Sequence, residues 1–183
     1  MAAQETPLCD FGAKAPDFRL AGVEGRDWTL ADCRGAKATL VLFICNHCPY
    51  VKASIERIVA VCHDLAPLGI KAVAISSNDA ATYPEDSFEN MKAFARVHKF
   101  PFPYLYDETQ DAARAYGAVC TPDFFGYNAA LELQYRGRLD AGRTSGPPPG
   151  TKRELFEALQ EIARTGKGPR EQVASVGCSV KWK

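Results

Sequence analysis

Hydrophobic and polar positions along the chain switch between a strand-like and a helical period. Residues 38–44, ATLVLFI, form a nearly continuous apolar and β-branched run, as expected of a central parallel strand covered on both faces. Apolar residues then move to helical spacing at Val51, Ile55, Ile58, Val59 and Cys62, with Lys52, Glu56, Arg57 and Asp64 on the opposite face. Pro49 falls in the first turn of this helix, where a missing N–H does little harm. Residues 70–77, IKAVAISS, predict a second buried strand, so 38–77 forms a βαβ unit with a right-handed crossover. Asp86-Ser87-Phe88-Glu89 offers an N-cap and an N3 glutamate for a helix toward His98, with Phe88, Met91 and Ala95 inward.

Further along, PYLYD predicts a short strand, and TQDAARAYG a short helix ending in a glycine suited to a left-handed cap. DFFGYN and LELQYRGRL predict a β-hairpin turning near Asn128. A last helix is expected from the capping-box pattern Thr151-Lys152-Arg153-Glu154, with Leu155, Leu159 and Ile162 as its stripe and Gly166 past its end. Near the start, DFRL and DWTL flank a Gly-rich turn and can pair as an accessory hairpin. The expected organisation is one α/β domain over 1–183, with an N-terminal extension at 1–35 and an aperiodic C-terminal tail at 167–183.

Composition changes this picture little. The 183 residues suit a single domain with a sizeable core, and the formal net charge is +0, which gives no reason to expect nucleic acid or an anionic membrane as a partner. No apolar stretch reaches the roughly 18 residues of a transmembrane helix. The opening MAAQETPLCDFG lacks the basic region and apolar block of a secretory signal, so a cytoplasmic location is expected. Seven cysteines at 9, 33, 45, 48, 62, 120 and 178 are too scattered for a disulfide scaffold, so any disulfide should be catalytic or regulatory.

Candidate chemistry concentrates in FICNHCPYV, residues 43–51. Cys45 and Cys48 lie between the first core strand and the start of its helix, where α/β sheets place their sites. Unpaired N–H groups and the helix dipole favour a thiolate there, and a two-residue spacer lets both sulfurs meet across one turn. His47 adds a nearby group that can be cationic and lower a thiol pKa. The alternatives are two buried thiols or half of a zinc site, for which Cys120, Cys178, His47, His63 and His98 are the remaining ligand types.

Strand, C-x-x-C at a helix start, and a distant Thr121-Pro122 before a hairpin resemble the thioredoxin fold. FICNHCPYV, YPEDSFENMK, VCTPDFF and GCSVKWK together resemble peroxiredoxin-like, thioredoxin-family redoxins, the group that includes the alkyl hydroperoxide reductase/thiol-specific antioxidant enzymes. The resemblance implies a central mixed sheet flanked by helices. It implies Cys45 as the more exposed, attacking thiol, Cys48 as the resolving thiol, and Pro122 as a cis-proline shaping a substrate groove with Thr121 and Cys120. A thiol–disulfide oxidoreductase without a bound cofactor or metal is therefore expected. Its partners would be protein or low-molecular-weight disulfides and a thiol reductant, and its assembly a monomer or a homodimer.

Two other functions stand beside this one. A peroxiredoxin-like peroxidase would use Cys48, yet the P-x-x-x-T-x-x-C pattern then finds Val41 for its proline and Cys45 for its threonine. The strand start expected to supply the peroxidase arginine carries Thr121-Pro122 instead. The third reading is a non-catalytic redox-sensitive or metal-binding module that grips an extended peptide beside Pro122. Among single residues, Asp17 and Asp32 are expected as turn or cap residues, and Phe124, Phe125 and Tyr127 as core. Cys62 is expected as a small core hydrophobe, His63 and His98 as surface or half-buried positions, and Cys9 and Cys33 without function. Cys178 lies in a tail that needs a surface for Trp182. It is either an inert packed cysteine or a third redox thiol exchanging with Cys45–Cys48.

Overall fold

A computed structural model describes residues 3–183. The chain begins with strand β1 (Ala3–Glu5), the hairpin β2 (Arg19–Gly22) and β3 (Asp27–Thr29), and the short helix α1 (Leu30–Cys33). The βαβ unit follows as β4 (Ala38–Phe43), α2 (Pro49–Leu65) and β5 (Ile70–Ser76). Next come α3 (Phe88–Val97), β6 (Tyr104–Tyr106), α4 (Asp111–Tyr116), β7 (Cys120–Thr121), β8 (Asp123–Asn128) and β9 (Leu133–Tyr135). Helix α5 (Glu154–Thr165) and strand β10 (Val176–Ser179) complete the chain.

Seven strands form a mixed sheet in the order β3-β2-β6-β5-β4-β8-β9. β4 pairs parallel to β5 and antiparallel to β8. Its alternation builds the two sides of the core: Leu40 and Leu42 pack toward α2, α3 and α5, while Val41 and Phe43 face α1 and α4. All four are essentially unexposed, and truncating Leu40 to Ala would cost about 2–5 kcal/mol. Gly126 in β8 makes room for α5, since a Cβ there would meet Leu159 at 3.1 Å and Tyr135 at 3.0 Å. The N-terminal hairpin does more than decorate the domain: β2 joins the main sheet through β6.

Three local expectations are corrected. Helix α3 is capped by Ser87, which accepts from the Asn90 N–H; Asp86 closes the preceding 3₁₀ turn and points inward. The Thr151–Glu154 capping box does not form, because Thr151 donates its hydroxyl to the Pro148 carbonyl and Glu154 is drawn to Arg138 at 2.8 Å. The tail is not aperiodic coil: β10 lies antiparallel between β1 and β7 in a second, three-stranded sheet. Trp182 is not covered by it and stays 43% exposed beside Arg114.

Candidate active site

Cys45 and Cys48 lie where β4 leaves the sheet and α2 begins. Cys48 is the N-cap of α2 and Pro49 occupies the first helical position. The intervening loop is held from the side by Asp86, whose side chain is wholly buried. One carboxylate oxygen accepts from the backbone N–H of Asn46 at 2.8 Å and of His47 at 3.2 Å. The other accepts from His47 Nδ1 at 2.6 Å and from Asn78 Nδ2 at 2.8 Å. The Asn46 side chain donates to the Glu85 carbonyl and accepts from the Tyr104 hydroxyl. The dithiol loop is thus fixed by a polar network in which every oxygen of the buried Asp86 carboxylate is paired, the arrangement that keeps such a charge from being costly.

Both sulfurs are buried, Cys45 at 0% and Cys48 at 0% exposure, so Cys45 is not the more accessible thiol. Their electrostatics also run against the expected roles. The neighbouring Cys45 thiol, with lesser contributions from Cys178, the Thr121 side chain and the start of α2, outweighs burial and brings Cys48 down to about 5. Cys45 is held well above the ordinary thiol range by its bond to Cys48, by burial and by the negative charge of Asp86. The helix start therefore favours an anion on Cys48, while Cys45 keeps its proton. His47 is bound to Asp86 rather than to either thiol. Its Nδ1 is turned to Asp86, its ring stacks on Tyr83, and its buried Nε2 has no partner among the described residues.

Thr121 and Pro122 are brought directly to the dithiol, and the bond between them is cis. Cys45 Sγ lies 3.4 Å from the Thr121 hydroxyl. Cys48 Sγ lies 3.2 Å from the Thr121 carbonyl oxygen, to which its protonated form donates. The segment is anchored from the other side by Asp123, buried against Arg136 at 3.0 Å and accepting from the Val119 N–H. Cys120 is fully buried, its thiol pushed up by desolvation and directed toward the Pro122 carbonyl at 3.6 Å. Cys178 joins the same buried cluster as Cys45 and Cys48.

Donor atoms of Cys45, His47 and Asp86 lie within 4.8 Å of one another, a spacing that a metal could use. The four hydrogen bonds to Asp86 already engage the lone pairs of its carboxylate. The trio is therefore a hydrogen-bonded hub, and a cation would have to displace its donors. Asp86 and Asn78 are the site residues that sequence reasoning missed; the only signal was a polar Asn and Asp at strand and helix ends. Elsewhere Cys62 is core and pushed up to about 12 by burial, His63 is exposed, and His98 is half-buried against Glu56. Asp32 forms a capping box with Thr29, and Asp17 accepts from the Phe18 N–H. Phe124, Phe125 and Tyr127 are core, as are Cys33 and the edge position Cys9.

The AhpC/TSA family matches residues 11–141, and the chain belongs to that family. A 45% identical uncharacterized conserved protein from Geobacillus kaustophilus superposes with a TM-score of 0.94, covering 100% of this chain and 97% of its own. A hypothetical protein from Sinorhizobium meliloti 1021 is 37% identical with a TM-score of 0.90, covering 100% and 99%. A thiol:disulfide interchange protein of the thioredoxin family from Chlorobium tepidum shares the fold, with 20% identity, a TM-score of 0.63 and coverage of 83% and 97%. Comparison with curated proteins gives no match. The fold is thioredoxin-like, and among the described residues no helix is long and apolar enough to cross a membrane.

Proposed function

We propose that this redoxin is a thiol–disulfide oxidoreductase in which Cys48 carries the reactive thiolate and Cys45 the proton and the second thiol. The observation that supports it is the unequal pair: two buried neighbouring thiols, one favoured as anion at a helix start and one kept protonated. In this reading the Cys48 thiolate attacks one sulfur of a protein or low-molecular-weight disulfide and expels the other as a thiolate. Cys48 is then a neutral mixed disulfide, so the interaction with its thiolate, the largest cause of the raised Cys45 pKa, is gone. Cys45 gives its proton to the leaving thiolate and attacks Cys48 Sγ, releasing the second half of the substrate. Substrate gains two electrons and the enzyme holds a Cys45–Cys48 disulfide, which an external thiol reduces.

A thiol peroxidase using Cys48 is the second reading, favoured by membership of the AhpC/TSA family and by the lowered Cys48 pKa. Against it, no arginine hydrogen-bonds to Cys48 among the described residues, so little would polarise a peroxide O–O bond. Turnover of an aromatic disulfide and of hydrogen peroxide, measured side by side, separates the two. Disulfide reduction that is lost in Cys48→Ser, with peroxide oxidation far below the roughly 10⁷ M⁻¹s⁻¹ of a fast bimolecular encounter, is the expected result. Normal disulfide turnover by Cys48→Ser would overturn the assignment.

A further inference from the structure

Three thiols share one buried cluster at this site, and Cys48 is the one that interacts with both others. Cys178 reaches it because β10 runs antiparallel along β7 with Cys178 directly opposite Thr121. Opposed residues of a ladder project to the same face, and Thr121 presents its hydroxyl to Cys45 on that face. The approach is unusually close. A Cβ on Gly177 would fall 2.1 Å from the Thr121 carbonyl oxygen and 3.1 Å from the Pro122 nitrogen, so only glycine lets the strand settle there.

The tail is held in place well beyond the strand itself. Ser175 donates its hydroxyl to the Pro122 carbonyl, and the Val180 N–H bonds to the Val119 carbonyl. Lys181 donates its N–H to Asn78, while its carbonyl accepts from the Asp79 N–H and the Gln110 side chain. Asn78 in turn holds Asp86, so the tail and the dithiol loop share one network. An extended segment paired beside a groove, with a cysteine facing the reactive sulfur, is how a peptide disulfide would present itself by strand addition.

We propose that Cys178 is the third exchanging thiol of this site, held against Cys48 by a C-terminal strand that acts as a built-in substrate. The proposal rests on the Cys45/Cys48 reading above. Starting from the Cys45–Cys48 disulfide, the Cys178 sulfur attacks Cys48 Sγ, a Cys48–Cys178 bond forms, and the Cys45–Cys48 bond breaks. Cys45 leaves with the electron pair and takes up the proton that Cys178 gives away. No net oxidation occurs, so no further oxidant is needed. The disulfide moves from two wholly buried sulfurs to one that includes Cys178, the only one of the three with measurable exposure, at 5%. Burial and the Cys48 charge hold Cys178 up to about 11 while Cys48 is an anion. Once Cys48 is in a disulfide that charge is gone, and Cys178 becomes a better nucleophile.

The test uses the full chain carrying Cys45→Ser, treated with the aromatic disulfide DTNB, quenched in acid and mapped by mass spectrometry. Expected are an adduct on Cys48 that collapses, a second equivalent of coloured thiol tied to its loss, and a Cys48–Cys178 disulfide. Adding Cys178→Ser should leave the adduct intact. A stable Cys48 adduct with Cys178 free in Cys45→Ser would overturn the proposal while leaving the dithiol reading standing. No adduct on Cys48 at all would overturn both. The unmutated chain, oxidised with one equivalent of DTNB, gives a check independent of any variant. Both Cys45–Cys48 and Cys48–Cys178 peptides are expected, and Cys45–Cys48 alone would overturn the relay.

Discussion

The thiolate on Cys48 makes stability depend on pH in a direction that buried cysteines do not usually give. In the folded protein Cys48 ionises at about 5, whereas the unfolded chain holds that proton until its ordinary value of 9.0. Between these values the unfolded state binds one proton more than the folded state, so the folded state gains as pH rises. Each pH unit in the window contributes at most about 1.4 kcal/mol. Raising the pH from about 6 to about 8 should then add roughly 1–3 kcal/mol, the lower figure allowing for partial relaxation of the site. Cys45 stays protonated in both states across that range and adds nothing. Above about pH 9 the sign reverses: Cys45 and Cys178, whose folded values are raised, keep protons that the unfolded chain loses. Urea unfolding of the reduced protein, compared pH by pH with Cys48→Ala, isolates the contribution from all other titrating groups. Parallel curves for the two proteins from about pH 6 to 8 would mean that Cys48 is an ordinary thiol in the fold, and would refute the reasoning.

Other consequences can be checked separately. Asp86→Asn replaces one acceptor oxygen facing buried donors with an amide, and should cost about 2–4 kcal/mol in urea unfolding. Because the Asp86 charge also raises Cys45, the same variant should lower the second thiol ionisation seen by ultraviolet titration; an unmoved titration would remove Asp86 from the electrostatics of the pair. A reduced form stabilised by the Cys48 anion should make the couple more oxidising than thioredoxin's, at about −270 mV; glutathione equilibration giving that value or a lower one would contradict it. Arg136→Met leaves Asp123 buried without its partner and should destabilise by about 3–5 kcal/mol, whereas the double change with Asp123→Leu should recover much of the loss.

The layers of the fold were readable because their signals are local. The apolar run at 38–44, the helical stripe from Val51 to Cys62 and the turn near Asn128 are each carried by residues close together in sequence. The Cys-x-x-Cys at a strand-to-helix junction was readable for the same reason. Capping was misread where a tertiary partner competed: Asp86 has the composition of an N-cap, but turning inward satisfies three donors of the dithiol loop and the Asn78 amide, and Ser87 caps instead. Glu154 similarly leaves its capping role for Arg138. Strand β10 carries too few residues for a period to emerge, and its partners Glu5 and Thr121 are far away in sequence.

The proposed thiol roles depend on those same distant contacts, whereas the order Cys45 then Cys48 came from the family resemblance. A two-residue spacer makes Cys45 and Cys48 neighbours but does not say which sulfur collects donors. Position does part of this: Cys48 is the N-cap residue at the positive end of α2, whereas Cys45 lies one step back toward the sheet. The remaining bias comes from elements that meet only in the folded chain. Asp86, arriving from the turn before α3, places a negative charge near Cys45, and Cys178, arriving on β10, adds a neighbouring thiol that lowers Cys48. Both act in the same sense, disfavouring an anion on the first sulfur and favouring it on the second. The pair is therefore polarised by the fold as a whole, and in the proposed relay the strand that lowers Cys48 also carries the thiol that exchanges with it once Cys48 is in a disulfide.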